Sequence, residues 1–130
     1  MIEVYVDGAS AGNPGPSGAG VFIKADGNLI RSSMPLGMLT NHEAEFEALI
    51  HALTLCNEHN FRTLSIRTDS QLVSSAVDNR YVKNKVYQPY LTRSLALVDQ
   101  FDLCFIKWIP SSKNKNADEL ARKAIQLNTA

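Results

Sequence analysis

At Thr40 the hydrophobic pattern of this chain changes period, and that change limits the folds open to it. Ahead of Thr40 the apolar residues follow a strand-like pattern. Residues 2–6 form a β-rich run ending at Asp7-Gly8, and residues 20–24 and 29–36 flank Asp26-Gly27-Asn28 as two strands of a tight hairpin. Residues 8–20 hold five of the seven glycines together with Pro14 and Pro16, which reads as a turn-dense loop. From Thr40-Asn41-His42-Glu43, a group of cap-type residues, a helical period takes over and runs to about His59. Beyond it strands and helices alternate. Residues 63–68 and 103–109 read as strands; Asp69-Ser70 opens a helix through Val77; the apolar residues 95–101 suggest another; and 116–127 close the chain as a helix. The order βββαβα(α)βα predicts an α/β (α+β) domain over residues 1–130, with one mixed sheet covered by helices.

Composition narrows the class further. Residues 56 and 104 are the only cysteines, too few for a disulfide framework or a paired-cysteine zinc site, so free thiols and a reducing cytoplasmic setting are expected. No segment approaches the roughly 18 apolar residues of a membrane span, and residues 1–7 lack the basic start of a secretory signal. Neither a membrane nor a protein partner is indicated, and a monomer is expected. Thirteen Lys+Arg balance thirteen Asp+Glu, which argues against a generic nucleic-acid binder. That balance conceals a split: residues 1–60 carry two basic and seven acidic side chains, a net −5, and residues 61–130 carry the compensating +5. In the second half, Arg80, Lys83, Lys85 and Arg93 are interleaved with Tyr81, Tyr87 and Tyr90. Some of these cations, with Lys107, Lys113 and Lys115, are expected to face phosphates.

Four carboxylates stand in unusual places. A helical wheel from Thr40 onward collects Phe46, Ala48, Leu49, Ile50, Ala52, Leu53 and Cys56 on one arc, with Glu47 and Glu58 opposite and Glu43 just outside it. Glu45 falls inside the arc, where an ionised carboxylate needs a partner. In the closing helix Asp118 lies at the rim of the apolar arc, either facing a site or favoured there by the helix dipole, whereas Glu119 points away toward Lys115 and Lys123. Asp7 and Asp69 each follow a strand, where ligands collect in open α/β sheets, although a turn residue and a helix cap explain them equally well. Four carboxylates aimed at one region repel unless divalent cations neutralise them, and Mg²⁺ sites are built from such groups. Two ions of this kind promote phosphodiester hydrolysis by clamping the attacking and leaving oxygens.

These residues sit in four segments that resemble type 1 ribonuclease H. Tyr5-Val6-Asp7-Gly8-Ala9-Ser10-Ala11-Gly12-Asn13-Pro14-Gly15-Pro16 is similar to its first motif and Thr40-Asn41-His42-Glu43-Ala44-Glu45-Phe46 to its second. Thr68-Asp69-Ser70-Gln71 and Asn116-Ala117-Asp118-Glu119-Leu120-Ala121 follow in family order. The resemblance implies a five-stranded mixed sheet with helices on both faces. It implies that Asp7, Glu45, Asp69 and Asp118 bind two Mg²⁺ ions, with Mn²⁺ able to substitute. Asp7 would be shared, Asp118 would complete the ion that activates water, and Glu45 with Asp69 would hold the ion on the leaving side. The implied activity is cleavage of the RNA strand of an RNA–DNA hybrid, leaving 5′-phosphate and 3′-hydroxyl ends. Asn13, Asn41, His42 and Gln71 would contact the hybrid and Thr40 a DNA phosphate, although Asn13 also suits a turn and Thr40 or Asn41 a helix cap.

The chain also departs from that pattern. The connection Trp108-Ile109-Pro110-Ser111-Ser112-Lys113-Asn114-Lys115-Asn116 is short and has no histidine, and Ser111 stands where compact members often carry an arginine. The long basic protrusion and separate hybrid-binding domain of some members are also missing. A catalytically weak or silent nucleic-acid-binding module, or a metal nuclease acting on another nucleic acid, therefore remain alternatives.

Overall fold

The computed structural model describes residues 1–128. Five strands form one sheet: β1 (Ile2–Ser10), β2 (Gly15–Ala25), β3 (Asn28–Leu39), β4 (Thr63–Thr68) and β5 (Leu103–Trp108). Their spatial order is β3-β2-β1-β4-β5. The first three pair antiparallel through short connections, whereas β1, β4 and β5 pair parallel, as the helical crossovers between them require. The helices are α1 (Asn41–Glu58), α2 (Gln71–Asn79), α3 (Gln88–Val98) and α4 (Lys115–Asn128). The core lies between α1–α3 and the sheet and is built on Val4, Val6, Ile23, Phe46, Leu49 and Leu53, all essentially inaccessible. Among the described residues no helix is long and apolar enough to cross a membrane.

The predicted glycine-rich loop is the main correction. Residues 8–10 and 15–20 are strand, and only the tip between them turns. The glycines serve close packing instead. A Cβ at Gly8 would lie 2.1 Å from the Ala44 carbonyl oxygen of α1, and one at Gly20 would lie 2.0 Å from the Ala117 carbonyl oxygen of α4. A helix backbone thus rests directly on the sheet at both positions.

A second correction concerns the basic-aromatic segment. α3 starts at Gln88, with Pro89 in its first turn where no intrahelical donor is needed, earlier than the apolar residues alone suggest. It packs beside α1, so Glu47, expected on the wet side, is largely covered and pairs with Arg93.

Candidate active site

The parallel pairing of β1 and β4 sets Val6 opposite Thr68, so both strands deliver a carboxylate to the same rim immediately afterwards, Asp7 and Asp69. Ser70, rather than Asp69, caps α2, accepting the Val73 N–H at 3.1 Å. Asp69 is therefore left to face the rim. Asp7 pairs across the sheet with Gly20, and the contact of α4 on Gly20 brings the first turn of that helix, with Asp118, over Asp7. Asp7, Asn41, Asp69, Ser111, Asp118 and Arg122 line a cleft of about 430 Å³.

Asp7 is 8% exposed and carries the strongest electrostatic signature of the chain. Burial first, and then the Asp69 and Asp118 carboxylates with which it hydrogen-bonds, push its pKa up to about 9. Without a cation the group therefore holds a proton at neutral pH. Asp118 is met by Arg122 one turn on, with Nη2 to Oδ2 at 3.0 Å and Nε to Oδ1 at 3.3 Å. The helix forms this ion pair in place of the one expected at Glu119, which is exposed.

Glu45 does not line the cleft but stands behind Asp69 on α1. Its pKa is raised by burial, an effect that hydrogen bonding from Ser70 and the nearby His42 partly offset. The His42 Nδ1 lies 3.6 Å from Glu45 Oε1, and its ring meets Tyr87 edge-on at 5.8 Å.

The predicted substrate residues divide. Asn41 lines the cleft and donates its backbone N–H to Asn13 Oδ1 at 3.0 Å, so the β1–β2 tip is tied to the start of α1. Thr40 is a helix cap: its hydroxyl accepts the Glu43 N–H at 3.3 Å, and Glu43 accepts the Thr40 N–H at 2.9 Å, completing a capping box. Glu43 also accepts the Tyr90 hydroxyl at 2.8 Å, which fastens α3 to the same helix end. Gln71 is exposed on the first turn of α2, beside Asp69 but outside the cleft lining. Among the described residues no histidine lines the cleft; His51 accepts or donates a 2.8 Å bond with Ser32, and His59 stacks on Phe61.

Much of the basic-aromatic cluster is committed internally. Arg80 forms a bidentate pair with Asp99, Arg93 pairs with Glu47, Lys85 lies over Tyr81, and Tyr87 and Tyr90 stack on Phe46.

Three further side chains support the site and went unassigned from sequence. The fully buried Asn114 donates its side-chain Nδ2 to the Val6 carbonyl at 2.9 Å, while its backbone carbonyl accepts the Asp118 N–H at 3.1 Å, tying the strand of Asp7 to the helix of Asp118. Trp108 Nε1 donates to the Asp69 carbonyl at 3.1 Å. Arg122 was discoverable from its i,i+4 spacing to Asp118; the other two contacts depend on chain crossings that local spacing does not encode.

Among the described residues no three acidic, histidine or thiol groups converge as a ready-made single-ion cage. The donors present are nevertheless all hard carboxylate oxygens, set pairwise against one another, the chemistry that suits hard cations bound through one or two carboxylates each.

Comparison with known proteins agrees with this geometry. Residues 5–124 match the family described as reverse transcriptase-like. The chain is 44% identical to the protein EbsB of Enterococcus faecalis, over 97% of this chain and 95% of that one. It is 35% identical to ribonuclease HI of Halobacterium salinarum, over 95% of this chain and 64% of that protein. The crystal structure of the RNase H1 from that archaeon superimposes with a TM-score of 0.90 at 34% identity, covering 96% and 97% of the two chains. LC11-RNase H1, solved in complex with RNA/DNA hybrid, gives a TM-score of 0.91 at 32% identity over 100% of both chains.

Proposed function

The chain belongs to the ribonuclease H family, and on that premise we propose that it is a metal-dependent endonuclease that hydrolyses the RNA strand of RNA–DNA hybrids, leaving 5′-phosphate and 3′-hydroxyl ends. The observation that carries this reading is that Asp7, Asp69 and Asp118 line one cleft, with Asp7 holding a proton that a cation can displace. Asp7, central to the group, would serve both ions; Asp118 would hold one, and Asp69 with Glu45 the other. When bound, two Mg²⁺ ions, or Mn²⁺ in their place, supply water activation and neutralise charge on the leaving oxygen.

The chain's own residues bind and orient the substrate. Asn13 uses its Oδ1 on the Asn41 backbone and presents its amide NH₂ outward, and Asn41 faces the cleft. Short amides of this kind suit the shallow minor groove of a hybrid and its 2′-hydroxyls, which distinguish RNA from DNA. The Thr40–Glu43 capping box and the Tyr90 bond keep the start of α1, which carries Asn41, His42 and Glu45, in one place. Arg122 keeps Asp118 turned toward Asp7. With no histidine in the cleft lining, proton removal from water falls to solvent and the carboxylates. Free Cys56 and Cys104 support a reducing, cytoplasmic setting.

Incubation of the purified chain with end-labelled hybrid, duplex DNA and duplex RNA, each with Mg²⁺ or Mn²⁺, tests the proposal. Metal-dependent cleavage confined to the RNA of the hybrid is expected. Binding of hybrid without cleavage would overturn it in favour of a silent module, the reading that the histidine-free cleft favours. Cleavage of either homoduplex instead would place the chain among nucleases of other substrates.

A further inference from the structure

One face of the sheet is covered by α1 and α2, with α3 packed against both, but the other is only half covered. α4 lies on β1, β2 and β3, with Gly18 and Gly20 beneath it. Below the row that joins Asp7 to Gly20 α4 does not cover the face, and the strands' own side chains, Arg31 among them, shield the 4%-exposed Phe22. The next row on that face crosses all five strands in register: Arg31, Phe22, Tyr5, Arg67 and Lys107. The row after it adds Lys24, Glu3 and Phe105.

The cations here are ordered rather than loose. The Arg31 guanidinium lies 5.2 Å from the centre of the Phe22 ring, while Arg67 and Lys24 lie 5.4 and 5.5 Å from that of Tyr5. Against these three and Lys107 the two rows hold one carboxylate, Glu3, itself paired with Arg67. Asp26 and Asp102 lie beyond the rows, in the turns at their far end. Phe105 presents an uncommitted ring, 56% exposed.

Cations spaced over a flat sheet with an exposed ring match a phosphodiester backbone and an unpaired, stackable base. A duplex offers no free base faces on which an exposed ring such as Phe105 could stack. The position is suited to a strand leaving the cleft, because Tyr5 precedes Asp7 by two residues on the same face of β1, about 7 Å away. The connection from β5 to α4, with exposed Lys113 and Lys115, passes between the two areas, where Asn114 reaches Val6.

We infer that the open half of the sheet, centred on Lys24, Arg31, Arg67, Lys107 and Phe105, binds the single-stranded flank of a nucleic acid whose paired part occupies the carboxylate cleft. The role of the flank rests on the reading of the cleft as a hybrid nuclease, whereas the binding of a single strand does not.

The test compares the parent chain with the triple variant Lys24→Gln, Arg31→Gln, Lys107→Gln, whose exposed positions spare the core and the cleft. Fluorescence anisotropy with labelled oligo-deoxythymidine should show about tenfold weaker binding in the variant, with a log–log salt slope shallower by about 2. KM for a hybrid with a long single-stranded overhang should rise, while KM for a blunt hybrid and kcat for both stay unchanged. Equal oligo-deoxythymidine affinity in parent and variant, or equal KM changes for blunt and overhung hybrids, would overturn the inference. So would a solution dimer of the parent that the same variant abolishes, since a second copy would then be the occupant. If the parent cleaves no hybrid, the nuclease reading fails, and anisotropy still decides whether this face binds a single strand.

Discussion

Asp7 is where the chain accepts an unfavourable electrostatic arrangement. A carboxylate 8% exposed between two others, with its pKa pushed up to about 9, is stable in the absence of metal only when protonated. Replacing it with asparagine keeps the shape and removes the repulsion. Asp7→Asn should therefore unfold at higher denaturant in metal-free buffer, by about 1–2 kcal/mol at pH 8, while hybrid cleavage drops by at least about a thousandfold. A variant that loses stability, or that keeps its activity, would contradict this account of Asp7. The alternating strand that carries Asp7 was legible in the sequence, as was the place of Glu45 within an apolar arc. β1 nevertheless runs on to Ser10, so Asp7 lies inside the strand rather than after it. Asp118 was ambiguous, because a first-turn aspartate satisfies the helix dipole whether or not it faces a site. Only the approach of α4 to Gly20 decides between the two, and that contact joins residues about a hundred positions apart.

Elements meet at glycines in this fold, and local sequence rules misread them for that reason. Five glycines within thirteen residues look like turns when judged by backbone freedom. Gly8 and Gly20 instead lie inside paired strands, chosen for what they lack: a side chain that would hold α1 and α4 away. The expected cost of Gly20→Ala is about 1–3 kcal/mol in urea unfolding, because helix backbone occupies the space and cannot turn aside. The folded fraction should also lose kcat, since the same shift carries Asp118 away from Asp7. Unchanged kcat in the folded variant would show that α4 does not set that spacing. The mixed sheet itself was readable, because three alternating runs followed by helix–strand alternation permit few sheets, although the order β3-β2-β1-β4-β5 was not. Nor was the docking of α3. Tyr87 and Tyr90, interleaved with cations in the sequence, stack on Phe46, and Tyr90 also bonds Glu43, contacts that local spacing does not encode.

At the scale of the whole molecule, the proton on Asp7 is linked to stability. Because the folded pKa of Asp7 lies above its ordinary value of 3.8, its proton contributes stability that is fully present below about pH 4 and is lost as pH rises through about 9. Thermal unfolding of metal-free protein should show Tm falling from pH 5 to pH 9, a trend that Asp7→Asn flattens. Added Mg²⁺ should raise Tm more at pH 8 than at pH 5, where the proton competes for the same oxygens. An equal rise at both values would remove Asp7 from the cation site. The charge asymmetry between the halves of the sequence also finds a place at this scale. Lys24 and Arg31 from the acidic half share the open sheet face with Arg67 and Lys107 from the basic half, so folding turns a cancelling sum into a local cationic surface.

The rim at Asp7 depends on distant parts of the chain. The helices α1 and α4 rest on opposite faces of the sheet. Of the carboxylates, Asp7 comes from within β1, Asp69 from the residue after β4 and Asp118 from the first turn of α4, with Glu45 beside them in the second turn of α1. No hairpin, helix pair or βαβ unit holds more than a fraction of them. A nascent or partly unfolded chain is consequently inert toward nucleic acid chemistry. The cleft is therefore complete only once the last helix has docked, so its formation reports finished assembly of the whole domain.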